Sequence, residues 1–423
     1  MKIILNKWIL WLVVSPLLLT LLLSGISPRE VEASPGWYDN AWAYRKKLTI
    51  QSSQVAANLS DFPMLVSYAS DSDLANDAQN DGDDILFTAA DETTKLSHEI
   101  EKFNGATGEL AAWVKIPSLS STTNTEIYMY YENPGAANQE NATDVWSNGY
   151  EAVYHIHDDF QDSTGNHDAT NNGSQDITGI IADGQDFIPV DEIQAGSWSV
   201  SGSDITIQGW VNPDDFDQDD PRVVSKAKNN KTDEKDHVFM LGLGGSGERY
   251  VRGRIKTGTS DSSGTTTLVA STNPLTTATW QLIALSYDGS SMRLFKNGTQ
   301  VTSTSKTGNL RQNSWAISMG NNPGKNDSGY TSWDGKLDEI RISSVARSGN
   351  WLSTEYNNQN FPFDFYATGS EEAAPPPAAS PVVVGGEVYP ANKLYVLAPW
   401  IILTVGAFLV TGVWVLRKHR ATS

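Results

Sequence analysis

Three histidines, two acidic runs and a handful of aromatic residues are the side chains whose types and spacing invite chemistry here. His155 and His157 stand at i, i+2, which on a strand places both imidazoles on one face. With His167 they could ligate zinc through ring nitrogens. No carboxylate stands nearby at the spacing of a catalytic metal site, so an ordinary strand pair beside a turn is expected. Asp77-x-x-x-Asp81-Gly82 half-fits an EF-hand loop, but Thr88 stands where the bidentate Glu must be, which excludes it. The run Asp214 to Asp220 reads as a solvated loop. Sugar recognition needs aromatic faces and a few polar groups. Trp198, Tyr330 and Trp333 fall in predicted loops and are the candidate carbohydrate-binding residues, whereas Trp113, Trp210 and Trp280 sit in strand patterns and read as core.

Charge and composition narrow the choice. The 423 residues hold 30 Lys+Arg against 50 Asp+Glu, a net charge of −20, and no cysteine. The missing cysteines exclude disulfides, thiolate-bound metals and a Cys nucleophile. The acidic balance excludes a nucleic-acid binder, which would show a basic stripe. A chain rich in Gly and aromatics and poor in charge suits an exported all-β protein.

Both ends read as addresses. Lys2 and Lys7 precede an apolar run from Trp8 to Leu23, and Val31-Glu32-Ala33 offers small residues for cleavage, so 1–33 is expected to be a signal peptide. An uncleaved anchor is the other reading. Leu394 to Leu416 carries no charged side chain and spans about 34 Å as a helix, enough to cross a bilayer. Arg417, Lys418 and Arg420 follow it, which places a cytoplasmic tail at 417–423 and the bulk of the chain outside the cell membrane as a single-pass protein. A sorting tail removed after export fits the same order. Residues 369–393 are Pro-rich and read as a spacer. The stretch between these two ends carries 24 basic and 48 acidic residues.

Residues 37–368 show short alternating segments separated by Gly, Asn, Asp and Pro, and no helical period long enough to matter. Asp288-Gly289 and Asn297-Gly298 mark hairpin turns. Strands are expected at 43–51, 63–68, 110–116, 125–131, 152–156, 205–211, 238–243, 251–256, 281–287, 291–296 and 335–342, among others, with a short closing helix at 348–356. A break near 145–151 separates 37–150 from 151–368. The fold class is all-β, with two β-sandwich domains.

Four stretches of the second domain carry a resemblance: Val153 to Asp159 with Asp162-Ser163-Thr164-Gly165-Asn166; Ile205 to Val211; Trp280 to Gly289 running to Gly298; and Trp333 to Ile342 with the closing helix. It resembles the concanavalin A-like lectin/glucanase superfamily, in particular its laminin-G-like jelly rolls. The region around 37–140, through Trp42-x-x-Arg45, Asp83 to Thr88, Trp113 to Pro117 and Tyr128 to Tyr131, is similar to a prokaryotic surface domain of unknown function. The first resemblance implies a jelly roll and a calcium site joining the opening loop to the last strand, onto which Asp162 and Asp338 map. Asp162 as a turn cap, and Asp338 paired with Arg341 or Lys336, is the alternative. A glucanase of this superfamily would need Glu-x-Asp-x-x-Glu on one strand face. Phe239 breaks that motif after Glu234-Lys235-Asp236, so no catalytic residue is expected.

The expectation is a membrane-anchored surface binding or adhesion protein, not an enzyme, that recognises glycan or surface polymer, with calcium as the one cofactor to test. A spacer or envelope component without soluble ligand is the alternative, and a divergent glycosidase a more distant one. The sequence leaves the oligomeric state open.

Overall fold

Alternation along the chain is realised as strands almost where it predicts them. Thr125–Tyr131 and Ser291–Lys296 keep their expected bounds, and others shift by a residue or two, such as Asp204–Pro213 and Gly335–Ser343. The structure, a computed structural model, describes residues 36–157, 159–231, 233–324 and 330–376. The expected signal peptide, membrane span, cytoplasmic tail and most of the spacer lie outside these residues. Among the described residues no helix is long and apolar enough to cross a membrane.

The architecture is all-β, as expected. A five-stranded sheet (366–373, 44–50, 125–131, 86–89, 95–96 in spatial order) faces a three-stranded one (59–68, 109–119, 98–104). Leu48, Ile50, Phe87 and Met129 from the first meet Phe62, Met64, Val114 and Ile116 from the second in one buried core. The later part of the chain builds a larger sandwich. One sheet runs 175–178, 183–187, 335–343, 204–213, 281–288, 291–296, 299–305, with 150–154 also paired to 335–343. The other runs 265–269, 250–256, 237–244, 222–227, 316–319, 192–194, 170–172. Ile207, Val211, Ile283 and Leu285 of one sheet and Phe239, Leu241, Val251 and Ile255 of the other share its core. Every paired strand recorded in these sheets is antiparallel, as a jelly roll requires.

Three features differ from the sequence reading. Strand Arg222–Ala227 is buried on both faces, so it lacks the alternation that marks a half-exposed strand. Strand Tyr366–Ala373 runs through the start of the expected spacer and pairs with Tyr44–Ile50, so the first sandwich is completed by the far end of the chain. The larger sandwich is therefore inserted into the smaller one. The closing helix extends over Gly349–Asn360, with Ser348 as its N-cap accepting from the Trp351 amide. It joins the two sandwiches. Asn358 exchanges two hydrogen bonds with the backbone of Leu65, and Gln359 accepts from Trp210 Nε1 at 2.6 Å.

Candidate functional site

The seam between the sandwiches buries a charged cluster whose members sit at backbone irregularities. Glu99 and Glu101 belong to strand His98–Asn104. The register slips between Ile100 and Lys102, so Glu101 is the extra residue of a β-bulge, the device that re-aims a strand side chain. Glu339 lies in a second bulge, between the pairs Gln208–Arg341 and Trp210–Asp338, with φ at +53°. His155 comes just after strand Tyr150–Tyr154 and just before Ile156, whose φ is +49°. Positive φ in a non-glycine residue costs free energy and clusters at functional sites.

These four side chains converge. His155 Nδ1 lies 2.5 Å from Glu339 Oε1 and 3.3 Å from Glu101 Oε2, and its Nε2 lies 3.3 Å from Glu99 Oε2. Each carboxylate is held from outside: Glu101 Oε2 by Trp113 Nε1 at 2.8 Å, Glu99 by Trp146 Nε1 and Ser163 Oγ, and Glu339 by Arg341. Arg341 also reaches Glu355 and lies over the Trp113 and Trp146 rings at 4.2 and 4.6 Å. Burial alone would lower the His155 pKa, yet Glu339, Glu101 and Glu99 hold it well above its ordinary value. Burial, with Glu339 and Glu99 adding, pushes Glu101 up to about 8. Glu339 resists its own burial and is held down at about 2 by His155 and Arg341. A cleft of about 360 Å3, lined by Glu99, Glu101, His155, His157 and Asp162 among others, leads to the cluster. Glu101, His155 and Glu339 are the described residues able to hold a metal ion, with ligand atoms within 4.8 Å of one another.

A second charged cluster lies on the jelly roll. Along Tyr250–Lys256, Val251 and Ile255 face the core, so Arg252 and Arg254 face away from it. Arg222, fully buried, joins them from the neighbouring part of the sheet. The guanidiniums of Arg222 and Arg254 pair with the carboxylate of Asp220, Arg254 at 3.2 Å, and Arg252 crowds the same carboxylate. The Nε groups of Arg222 and Arg252 are buried without a hydrogen-bond partner. His237 sits 3.3 Å from Arg254, and burial together with Arg222 and Arg254 drives its pKa well below the ordinary value.

The residues singled out in the sequence fall in several places. Trp333 is 1% exposed and belongs to the jelly-roll core, so it is no sugar platform; its loop folds back between Gly320 and the last strand. Trp198 is half-buried, stacked on His167 at 4.1 Å, with Nε1 donating to Ala195. Tyr330 is 41% exposed and bridges to Asp219 beside the arginines. Asp162 caps its own loop: its oxygens accept from the amides of Val153, Thr164, Asn166 and His167 and from Thr164 Oγ1. Asp338 is buried, with Oδ2 taken by the amides of Ile180 and Ile181, an approach close enough that a Cβ at Gly179 would lie 2.4 Å from that oxygen. The two aspartates thus serve different segments. His155 and His157 do not share a strand face, because the strand ends at Tyr154. Glu99, Glu101 and Glu339 were missed. The pair Glu99-x-Glu101 was visible, but the bulges and the seam that bring it to His155 were not.

Residues 189–353 match the Concanavalin A-like lectin/glucanases superfamily, and residues 81–178 match the Domain of unknown function (DUF2341). The chain therefore carries a concanavalin A-like module preceded by that domain, as the resemblance implied. The second match runs past the break at 150 into the opening strand and loop of the jelly roll. No curated protein matches the chain. Among solved structures, domain 4 of AbnA, an extracellular GH43 arabinanase from Geobacillus stearothermophilus in complex with arabinotriose, is similar at 18% identity and a TM-score of 0.40. The alignment covers 49% of this chain and 98% of that one. The binding domain of Paraclostridial Mosquitocidal Protein 1 follows at 15% identity and a TM-score of 0.39, covering 51% of this chain and 52% of that one. A heptameric SAP-like pentraxin from Limulus polyphemus is similar at 12% identity and a TM-score of 0.31, covering 49% and 93%.

Proposed function

We propose that this is a cell-surface binding protein, not a catalyst, whose jelly roll takes up carbohydrate that carries negative charge. One observation carries the reading: Arg222, Arg252 and Arg254 crowd around one carboxylate, and the Nε groups of Arg222 and Arg252 are buried without a hydrogen-bond partner. Buried charge left uncompensated is costly. A uronate carboxylate or a sulfate ester on a sugar offers the oxygens an arginine fork binds best. Tyr330, exposed at the edge of the same cluster, supplies an aromatic face for the sugar ring. Export through 1–33 and anchoring through 394–416 belong to the same proposal and place this face outside the cell.

A glycan array followed by calorimetry on full-length protein tests it. Polygalacturonate or a sulfated glycan is expected to bind, neutral arabinan and laminarin much less, and Arg252→Ala to weaken binding at least tenfold. A chelator arm tests whether calcium contributes. Absence of binding to every charged glycan would overturn the reading in favour of a spacer, and mass spectrometry of membrane fractions checks both termini.

A further inference from the structure

We propose that Glu101, His155 and Glu339 bind a divalent transition-metal cation, zinc being the best fit, at the seam of the two sandwiches. The three ligand atoms come from three separate segments and lie within 4.8 Å of one another. In a tetrahedral zinc site with ligands about 2.0–2.1 Å from the metal, ligand atoms stand roughly 3.3 Å apart. The His155–Glu101 separation of 3.3 Å already has that value, and the 2.5 Å His155–Glu339 contact has to open by less than about 1 Å.

The surroundings have the form of a metal site's outer layer. A ligating histidine donates its other ring N–H to a carboxylate, and ligating carboxylates are themselves hydrogen-bonded. Here His155 Nε2 faces Glu99, Glu339 is held by Arg341, and Glu101 Oε2 by Trp113. The independent sign of a missing partner is Glu101 Oε1. It is buried on a side chain with no exposure and has no hydrogen-bond partner. The seam also gathers four carboxyl groups, Glu99, Glu101, Glu339 and Glu355, around Arg341 and the His155 ring. The cleft lined by Glu99, Glu101 and His155 supplies an entry path and room for a water as fourth ligand. Calcium fits less well, because it takes oxygen ligands and an imidazole nitrogen is central here. The cation would tie a strand of the first sandwich to the last strand of the jelly roll.

The test uses full-length protein stripped with chelator and titrated with Zn2+, Mn2+, Ca2+ and Mg2+, read by metal analysis and thermal unfolding. One equivalent of zinc per chain is expected, with a raised midpoint, little response to calcium, and affinity reduced at least 100-fold in Glu101→Gln, whose amide oxygen can still accept from Trp113. Cobalt substitution of the unaltered protein supplies a check independent of the variant's folding: a nitrogen- and oxygen-ligated visible spectrum is expected. No zinc bound at micromolar free metal, or zinc bound equally well by Glu101→Gln, overturns the proposal.

Discussion

The seam and the outward face of the jelly-roll sheet each enclose one histidine among charged groups, and the two histidines are driven in opposite directions. At the seam His155 is surrounded by glutamates, which hold its pKa up against burial. On the sheet His237 lies beside arginines, which add to burial and drive it down. Burial is common to both, so the sign of the neighbours decides the outcome. Carboxyl groups crowd the cations of the seam, whereas on the sheet face three arginines crowd Asp220, with Glu248 and Glu234 acting on them from nearby. Each crowding names the kind of ligand that would relieve it, a cation in one place and an anion in the other.

The largest effect that would break this contrast is the loss of the Arg341 guanidinium. Arg341→Ala leaves Glu355 buried without its cation and Glu339 with His155 alone, and strips the faces of Trp113 and Trp146. Removing one partner of a buried ion pair costs about 3–5 kcal/mol, to be read from urea unfolding. Arg254→Ala on the sheet is expected to cost under about 1 kcal/mol, because Asp220 keeps two other arginines and one crowded charge is relieved. Equal losses at the two sites would erase the distinction.

The sheet face also predicts a dependence on acidity. His237 resists protonation in the folded protein but titrates near its ordinary 6.5 once unfolded, so the unfolded state binds more protons as pH falls below that value. Stability contributed by the neutral ring is therefore present above about pH 6.5 and lost on acidification. His237→Asn should flatten the loss between about pH 7 and 5, measured as unfolding midpoints across that range. The smallest effect belongs to Asp334. Burial and then Asp215, Asp214, Asp186 and Asp217 raise its pKa to about 6. A raised carboxyl favours folding at low pH and loses that advantage as pH climbs through about 6, so Asp334→Asn should be slightly more stable than the parent at pH 7 and no different at pH 4.

The sandwich class was legible because alternation survives where one strand face meets solvent, as at Lys47, Leu48, Thr49 and Ile50, where Leu48 and Ile50 are buried and their neighbours are not. Strand Arg222–Ala227 was hidden because neither of its faces is exposed. Strand Tyr366–Ala373 was hidden because its sequence carries almost no apolar pattern and its place is set by pairing with Tyr44–Ile50. At the candidate sites, residue types were readable and their company was not. His155 stood out, but the glutamates that reach it depend on two bulges, and a bulge has no composition of its own. Trp333 falls in a predicted loop, yet that loop packs inward and buries it.

The pairing of Tyr44–Ile50 with Tyr366–Ala373 also bears on synthesis. A chain emerging at about 5–20 residues per second exposes an unpaired edge at 44–50 for roughly 15 to 65 seconds before its mate arrives. Unprotected edges recruit strands from other molecules, and charged side chains, lysine above all, discourage this. Arg45, Lys46 and Lys47 stand on that edge. Once the mate has docked, Arg45 pairs with Glu372. The basic triplet thus guards a half-made sheet during translation, and one of its members then becomes part of the finished lock.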